Sequence, residues 1–312
     1  MNVKIDTALL DSLTEQAKAS PRLRMNLDLR TSDADTSQRM LNAIEPGSVV
    51  PVHRHQKTSE TFVVLRGRVV EEFYDELVSF KPDLFITVAY GKILTESVLS
   101  IPAMGCINVH ASLLPKYRGA APLWHAVING EKESGITTMM TDVGMDTGDI
   151  LIADKCEISE NMTMGELHDK LSEMGANTLQ KTLEQLEAGT LTRTPQNHDE
   201  ATYSPMVSRE TGKIDWTRSS LEIHNLVRGT NPFPVSYSFD EEGERIKIWS
   251  TLLTDIKKPS SKEAGDVIEA SAEGIYVATG DGVIKITELQ GPSGKRMKAG
   301  DYVNGHKITK LT

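Results

Sequence analysis

The spacing of apolar and polar positions along this 312-residue chain changes several times, and each change predicts a different kind of element. Leu9, Leu10, Leu13 and Ala17 recur at helical intervals, which predicts a helix from Thr7 to Ala19, stopped by Ser20-Pro21. Short runs rich in branched residues follow at Met40 to Ile44, Ser48 to Val52 and Thr61 to Val70. Pro46-Gly47 and Arg66-Gly67 punctuate them, as in an antiparallel, hairpin-rich sheet. Around Tyr74 to Leu77 the pattern changes to compact apolar runs: Asp83 to Ala89, Cys106 to His110, Ile136 to Thr141 and Ile150 to Cys156. Alternating with helical stretches, such runs are expected to form an α/β unit with a parallel sheet.

The clearest helical pattern runs from Met164 to Ala188, with Leu167, Leu171, Met174, Leu179, Leu183 and Leu186 on one face. Thr163 and Glu166 have the spacing of a capping box, and Gly189 supplies a C-terminal stop. Residues 190–205 are polar, carry two prolines and lack periodicity, so they read as an interdomain linker. Beyond them, Arg245 to Trp249, Gly274 to Ala278 and Val283 to Leu289 alternate with glycine-bearing turns. That grammar predicts a small β-barrel of about 100 residues.

Composition narrows the function classes. With 38% hydrophobic and 25% charged residues the chain can bury real cores. No run approaches the roughly 18 apolar residues of a membrane span. Asp6, Asp11 and Glu15 sit where a signal peptide would be basic and then apolar, so a cytoplasmic protein without membrane partners is expected. Cys106 and Cys156 have no metal-ligand spacing and read as buried apolar residues. Charge is uneven: residues 1–206 hold 19 basic against 29 acidic side chains, whereas residues 207–312 hold 15 of each. The last 18 residues carry Lys295, Arg296, Lys298, Lys307 and Lys310 against Asp301 alone, a patch suited to phosphate.

Asn108 and His110 lie two apart at the end of a predicted strand, so an extended backbone points both side chains the same way. Strand ends are where α/β sheets bind ligands. A loop follows, Ser112-Leu113-Leu114-Pro115 and then Lys116-Tyr117-Arg118-Gly119-Ala120-Ala121-Pro122. A second turn, Asp142-Val143-Gly144-Met145-Asp146-Thr147-Gly148-Asp149, presents carboxylates between glycines. Turn chemistry alone does not choose among Asp142, Asp146 and Asp149.

The Asn-x-His-x-Ser-Leu-Leu-Pro run, the Tyr-Arg-Gly-Ala-Ala-Pro run and the Asp-x-Gly-Met-Asp-Thr-Gly-Asp turn resemble folate-dependent formyltransferases. Lys213-Ile214-Asp215-Trp216, Glu222-Ile223-His224-Asn225 and Asn231-Pro232-Phe233-Pro234 are similar to the branch that formylates methionyl-tRNA. The resemblance covers about residues 77–312. It implies a Rossmann-like catalytic domain over 77–189, truncated at its start, the 190–205 linker, and a tRNA-binding, OB-like barrel over 206–312. It implies 10-formyltetrahydrofolate as donor, initiator methionyl-tRNA as acceptor, no metal in the chemistry, and a monomer. Asn108, His110 and Asp146 map onto the catalytic triad. Ser112, Leu113, Leu114 and Pro115 map onto the folate site, with Tyr90 and Gly91 toward the pterin.

Residues 1–76 read differently. Gly47, His53, His55, Glu60 and Gly67 have the spacing of the first metal motif of cupins, so this segment resembles part of a small cupin-type metalloprotein. Two His and one Glu suit Fe, Mn, Ni or Zn, but nothing after Gly67 offers the further His of a second motif. The expectation is therefore a formyltransferase with reduced activity. The alternatives are a tRNA-binding but catalytically inert chimera and an incomplete cupin metal-binding module.

Overall fold

The computed structural model describes residues 7–21, 24–28, 40–44, 74–292 and 294–312. It divides into two compact units, residues 1–71 and 72–312. In the first, helix α1 (Thr7–Ala19) matches its predicted span and buries Leu13 and Ala17, one helical turn apart. It packs on an antiparallel pair, β1 (Arg24–Asp28) and β2 (Met40–Ile44). The other predicted hairpin runs, with His53, His55 and Glu60, lie outside the described residues.

The second unit opens with α2 (Tyr74–Ser79), β3 (Phe85–Val88), α3 (Glu96–Leu99) and β4 (Cys106–His110). The two-residue β5 (Arg118–Gly119) and α4 (Pro122–Ile128) lead to β6 (Glu133–Met140), β7 (Ile150–Glu157) and α5 (Met164–Glu187). The sheet order is β3-β4-β6-β7. Only β3 and β4 run parallel; β4 with β6 and β6 with β7 are antiparallel, so the sheet is mixed where a parallel one was expected. Connection geometry explains the difference. The β6–β7 turn spans residues 141–149, shorter than the dozen or so residues a parallel crossover needs. The stretch from His110 through α4 begins and ends at the same edge of the sheet, since His110 stands opposite Thr137.

Helix α5 forms because its local signals agree. Thr163 Oγ1 accepts from Glu166 N, and Glu166 Oε2 accepts from Thr163 N, the reciprocal cap expected from sequence. Gly189, at φ +67°, ends it in the left-handed region that glycine adopts freely. Leu167 and Leu171 pack with Val109, Leu123, Val127 and Ile136 into one core. Ile107 and Val109 thus face one way from β4, and Asn108 and His110 the other. Cys106 and Cys156 are free thiols, both buried.

After α5 come β8 (Tyr203–Ser204), α6 (Ser220–Gly229), β9 (Ser236–Phe239), β10 (Arg245–Leu253), β11 (Val267–Ser271), β12 (Gly274–Ala278), β13 (Val283–Gln290), β14 (Met297–Lys298) and α7 (Ala299–Tyr302). The antiparallel order is β11-β12-β13-β10-β9, with β14 on β13. The chain end joins the two outer strands: Leu311 bridges Asp240 beyond β9, and Lys310 bridges Asp266 before β11. This closes the sheet around Ile246, Ile248, Ile275, Ile284, Ile286 and Leu289, all at most 1% exposed.

Helix α6 fastens this sheet to the α5 unit. His224 Nε2 donates to the Glu160 carbonyl at 3.2 Å while Nδ1 accepts from Thr251 Oγ1 at 3.0 Å. Arg228 donates to the Met162 carbonyl at 2.9 Å, and Trp124 Nε1 donates to the Phe233 carbonyl at 2.8 Å. No described helix is long and apolar enough to cross a membrane.

Candidate active site

β3 and β4 are parallel and in register, so residues 89–91 and 111–115 leave the same edge of the sheet. Thr87 stands beside Asn108 and donates from Oγ1 to Asn108 Oδ1 at 2.9 Å. That contact fixes the amide and turns its NH₂ into the group it can present to a ligand. His110 is 6% exposed, and its Nε2–H donates to the Tyr117 carbonyl at 2.9 Å. The carbonyl only accepts, so Nε2 carries the proton of the neutral ring and Nδ1 carries the lone pair. Nδ1 looks toward Asp146 Oδ2, 3.7 Å away.

The 141–149 turn leaves β6 at the far edge of β4, where Met140 pairs with Ile107, and folds back across the Asn108–His110 face to bring Asp146 to the imidazole. Its three carboxylates are thereby told apart. Asp142 Oδ1 accepts from Gly144 N at 3.0 Å and Thr147 Oγ1 at 2.6 Å, so it builds the turn. Asp149 contributes its carbonyl to Met140 N. Asp146 Oδ2 accepts from Gly119 N at 2.7 Å and faces His110. Asp146 holds φ +55°, a conformation that costs a non-glycine residue of order 1–3 kcal/mol and persists where its surroundings impose it. Gly148 permits the turn to close, because a Cβ there would stand 1.9 Å from the Met140 carbonyl.

The Leu-Leu-Pro loop folds into a tight, mostly buried turn. Ser112 Oγ donates to the Lys116 carbonyl at 2.7 Å, Thr137 Oγ1 donates to the Ser112 carbonyl at 2.7 Å, and Leu114 N donates back to Thr137 Oγ1. Leu113 lies against Gly135. Leu114 is 7% exposed, and Pro115 follows it through a cis peptide bond. Tyr90 and Gly91 lie exposed past the end of β3. Tyr117 anchors the far side of the loop: its hydroxyl donates to Glu131 Oε1 at 2.7 Å and accepts from Asn129 Nδ2. Burial, reinforced by the Glu131 carboxylate, pushes this phenol up to about 12, so it stays protonated.

Sequence reasoning misses several parts of this arrangement. Thr87, the Tyr117 carbonyl and the Gly119 amide become visible only through strand pairing and loop closure. Residues 190–205 do more than connect. Thr194 pairs with Ile150, β8 runs parallel to β5, and Gln196 is 6% exposed. His125 and His198 find their partners only in space, at the Pro205 carbonyl and at Arg118. In the basic C-terminal stretch, Arg296 pairs with Glu288 and Lys310 with Glu263 and Asp266, while Lys295, Lys298 and Lys307 stay exposed.

An amide donor, an imidazole and a carboxylate facing the imidazole's open nitrogen thus meet on one face of a mixed α/β sheet. Residues 11–183 match the family described as "Formyl transferase", and residues 206–307 match "Formyl transferase, C-terminal domain". The chain belongs to the formyl transferase family. It is 49% identical over 237 residues to the methionyl-tRNA formyltransferase of Acetivibrio thermocellus, covering 76% of each chain. It is 47% identical over 238 residues to that of Clostridioides difficile, again 76% of each. Two solved structures share the fold. One is HypX from Aquifex aeolicus in complex with tetrahydrofolic acid, with TM-score 0.56 and 19% identity over 77% of this chain and 44% of that one. The other is the N-formyltransferase from Helicobacter canadensis in complex with folinic acid and dTDP-3-aminofucose, with TM-score 0.55 and 24% identity over 65% and 72%. The chain thus spans less than half the length of HypX. The family match begins at residue 11, inside the 1–76 segment, and the cupin-like reading of that segment gains no support from these comparisons.

Proposed function

We propose that this chain transfers a formyl group from 10-formyltetrahydrofolate to the amino group of initiator methionyl-tRNA. The observation that carries the reading is the His110–Asp146 pair, 3.7 Å apart beside Asn108, in a chain 49% identical to a methionyl-tRNA formyltransferase. The amine nitrogen attacks the formyl carbon, and negative charge gathers on the carbonyl oxygen. The Asn108 NH₂ donates to that oxygen, an interaction of the kind worth roughly 2.7 to 4 kcal/mol. His110 Nδ1 takes the amine's proton, and the Asp146 carboxylate stabilises the imidazolium that results. When the tetrahedral adduct collapses, the bond from the formyl carbon to the folate nitrogen breaks. His110 returns its proton to that nitrogen, releasing tetrahydrofolate and the formylated amino acid.

Ser112, Leu113, Leu114 and Pro115 form the folate wall, with Tyr90 and Gly91 at its outer end toward the pterin. Residues 77–189 carry catalysis, 190–205 link, and the closed, OB-like sheet of 206–312 holds tRNA, with Lys295, Lys298 and Lys307 facing phosphate. The protein works as a cytoplasmic monomer. Reduced activity, an inert tRNA-binding chimera and a cupin-type metal module gain no support from the comparisons. Residues 1–76 keep a cupin-like origin only as a proposal from the His53, His55 and Glu60 spacing; a metal site there is a separate proposal, rejected if the wild type and His53→Ala are both metal-free.

A radiolabelled formyl-transfer assay on the purified, monodisperse chain tests the reading directly. Label transferred to methionyl-tRNA and dependent on the folate donor is the expected result. Undetectable transfer by folded protein rejects it.

A further inference from the structure

Gln196 lies where sequence predicts a linker, yet it is 6% exposed and all of its amide is engaged. Its Nε2 donates to the Asp146 carbonyl at 2.9 Å and to the Gly148 carbonyl at 2.7 Å. Its Oε1 accepts from Arg118 Nε at 3.1 Å and Nη2 at 2.6 Å. Arg118 is 1% exposed, and Nη2 also donates to His198 Nδ1 at 3.2 Å. A buried guanidinium ordinarily meets a carboxylate. Here it meets a neutral amide, and the reason lies on the amide's other side. A carboxylate at position 196 would satisfy Arg118 but would face two carbonyl oxygens with no hydrogen to offer.

The geometry assigns Gln196 as a positioning residue for formyl transfer: it ties Arg118 to the backbone of the Asp146 turn and so sets the carboxylate against His110. This rests on the reading of His110 and Asp146 given above. Asp146 holds a left-handed backbone at φ +55°, which needs outside restraint, and its carbonyl is one of the two that Gln196 grips. Gly119, whose amide holds the Asp146 carboxylate, is the residue after Arg118, so one network fixes both ends of the aspartate. The network is itself anchored. Thr194 N and O pair with Ile150 at 2.9 Å, and Ser204 Oγ donates to the Arg118 carbonyl at 3.0 Å. Gln196 is thereby a fixed post between the 118–119 loop and the 141–149 turn. It touches no reacting atom and acts through Asp146.

Gln196→Glu is the discriminating variant, because it keeps a partner for Arg118 and removes only the two donors. Gln196→Met, similar in length, removes donors and acceptor together. Steady-state formyl transfer is measured for both, with KM for the folate donor and for methionyl-tRNA and a thermal melt for each protein. Ångström-scale misplacement of a catalytic group costs up to about 100-fold, so kcat is expected to fall roughly 10-fold to 100-fold in folded Gln196→Glu, with both KM values within about 3-fold. Gln196→Met is expected to behave alike and is decisive where Gln196→Glu fails to fold. A wild-type kcat in either folded variant overturns the inference. So does a loss that tracks the unfolded fraction or appears mainly in KM, and so does failure of both variants to fold, since each marks a merely structural residue. Absence of transfer in the wild type removes the underlying reading instead, whereas wild-type turnover with unaffected variants removes this inference alone.

Discussion

Two buried histidines are held alike at one ring nitrogen and differ in what the other nitrogen faces. His110 and His224 are 6% and 2% exposed, and each donates from Nε2 to a backbone carbonyl, which leaves Nδ1 with its lone pair. The difference lies in what Nδ1 faces. At His110 it is the Asp146 carboxylate, 3.7 Å away on a turn held in a costly conformation, so a proton arriving there finds a counter-charge. At His224 it is the Thr251 hydroxyl, 3.0 Å away, which donates into the lone pair and fills it. Burial depresses the proton affinity of His224 below its ordinary 6.5, and the nearby Arg228 adds to this, while the bond to the Glu160 carbonyl and the Glu160 charge offset it only in part. One ring keeps a lone pair facing a carboxylate; the other joins α6 to the segment before α5.

The sharpest way to break this contrast is to truncate each ring in turn. His110→Ala is expected to lower kcat per folded molecule by about 10² to 10⁴, the range for a lost general acid/base, whatever its effect on melting temperature. His224→Ala is expected to leave kcat per folded molecule unchanged while losing about 1–3 kcal/mol of stability, as the Thr251 hydroxyl and Glu160 carbonyl lose their partner. Denaturant titration beside the transfer assay reads both. Next in size, Asn108→Ala is expected to cost about 10² to 10³ in kcat with KM nearly constant, as for a donor used mainly in the transition state. A loss confined to KM would make Asn108 a binding residue.

The smallest effect concerns pH. The folded-state pKa of His224 lies below its unfolded value of 6.5, so its contribution to stability is fully present above that pH. Below it the unfolded chain takes up the proton first, and stability declines as pH falls toward the folded value. Denaturation midpoints compared between the wild type and His224→Ala over this window are expected to converge as pH drops. Parallel curves would show that the ring does not titrate on unfolding.

Helices α1 and α5 are legible in the sequence because their determinants are local: apolar spacing, Thr163 with Glu166, and stops at Ser20-Pro21 and Gly189. The direction of strand pairing is not, because β6 and β7 read equally well as parallel strands until the short 141–149 turn forbids it. The site divides the same way. Asn108 and His110 share a side of one strand, which alternation alone predicts. The choice of Asp146 over Asp142 and Asp149, made in the sequence only through resemblance, takes physical form in the fold of the turn over the sheet. Thr87 and Gln196 stay hidden, since their partners lie 21 residues away for Thr87 and 50 and 78 residues away for Gln196. Gln196 also sits in a segment whose prolines and polarity give no sign of burial. The partners of His224, 27 and 64 residues distant, escape inspection for the same reason.

The central claim, that His110 and Asp146 work as one unit in formyl transfer, is tested most directly by single-turnover rates for His110→Ala, Asp146→Asn and the double variant. Residues acting as a unit are strongly non-additive, so the double variant is expected within about 3-fold of His110→Ala. Losses that multiply, leaving the double variant slower by the product of the two single effects, would contradict the account.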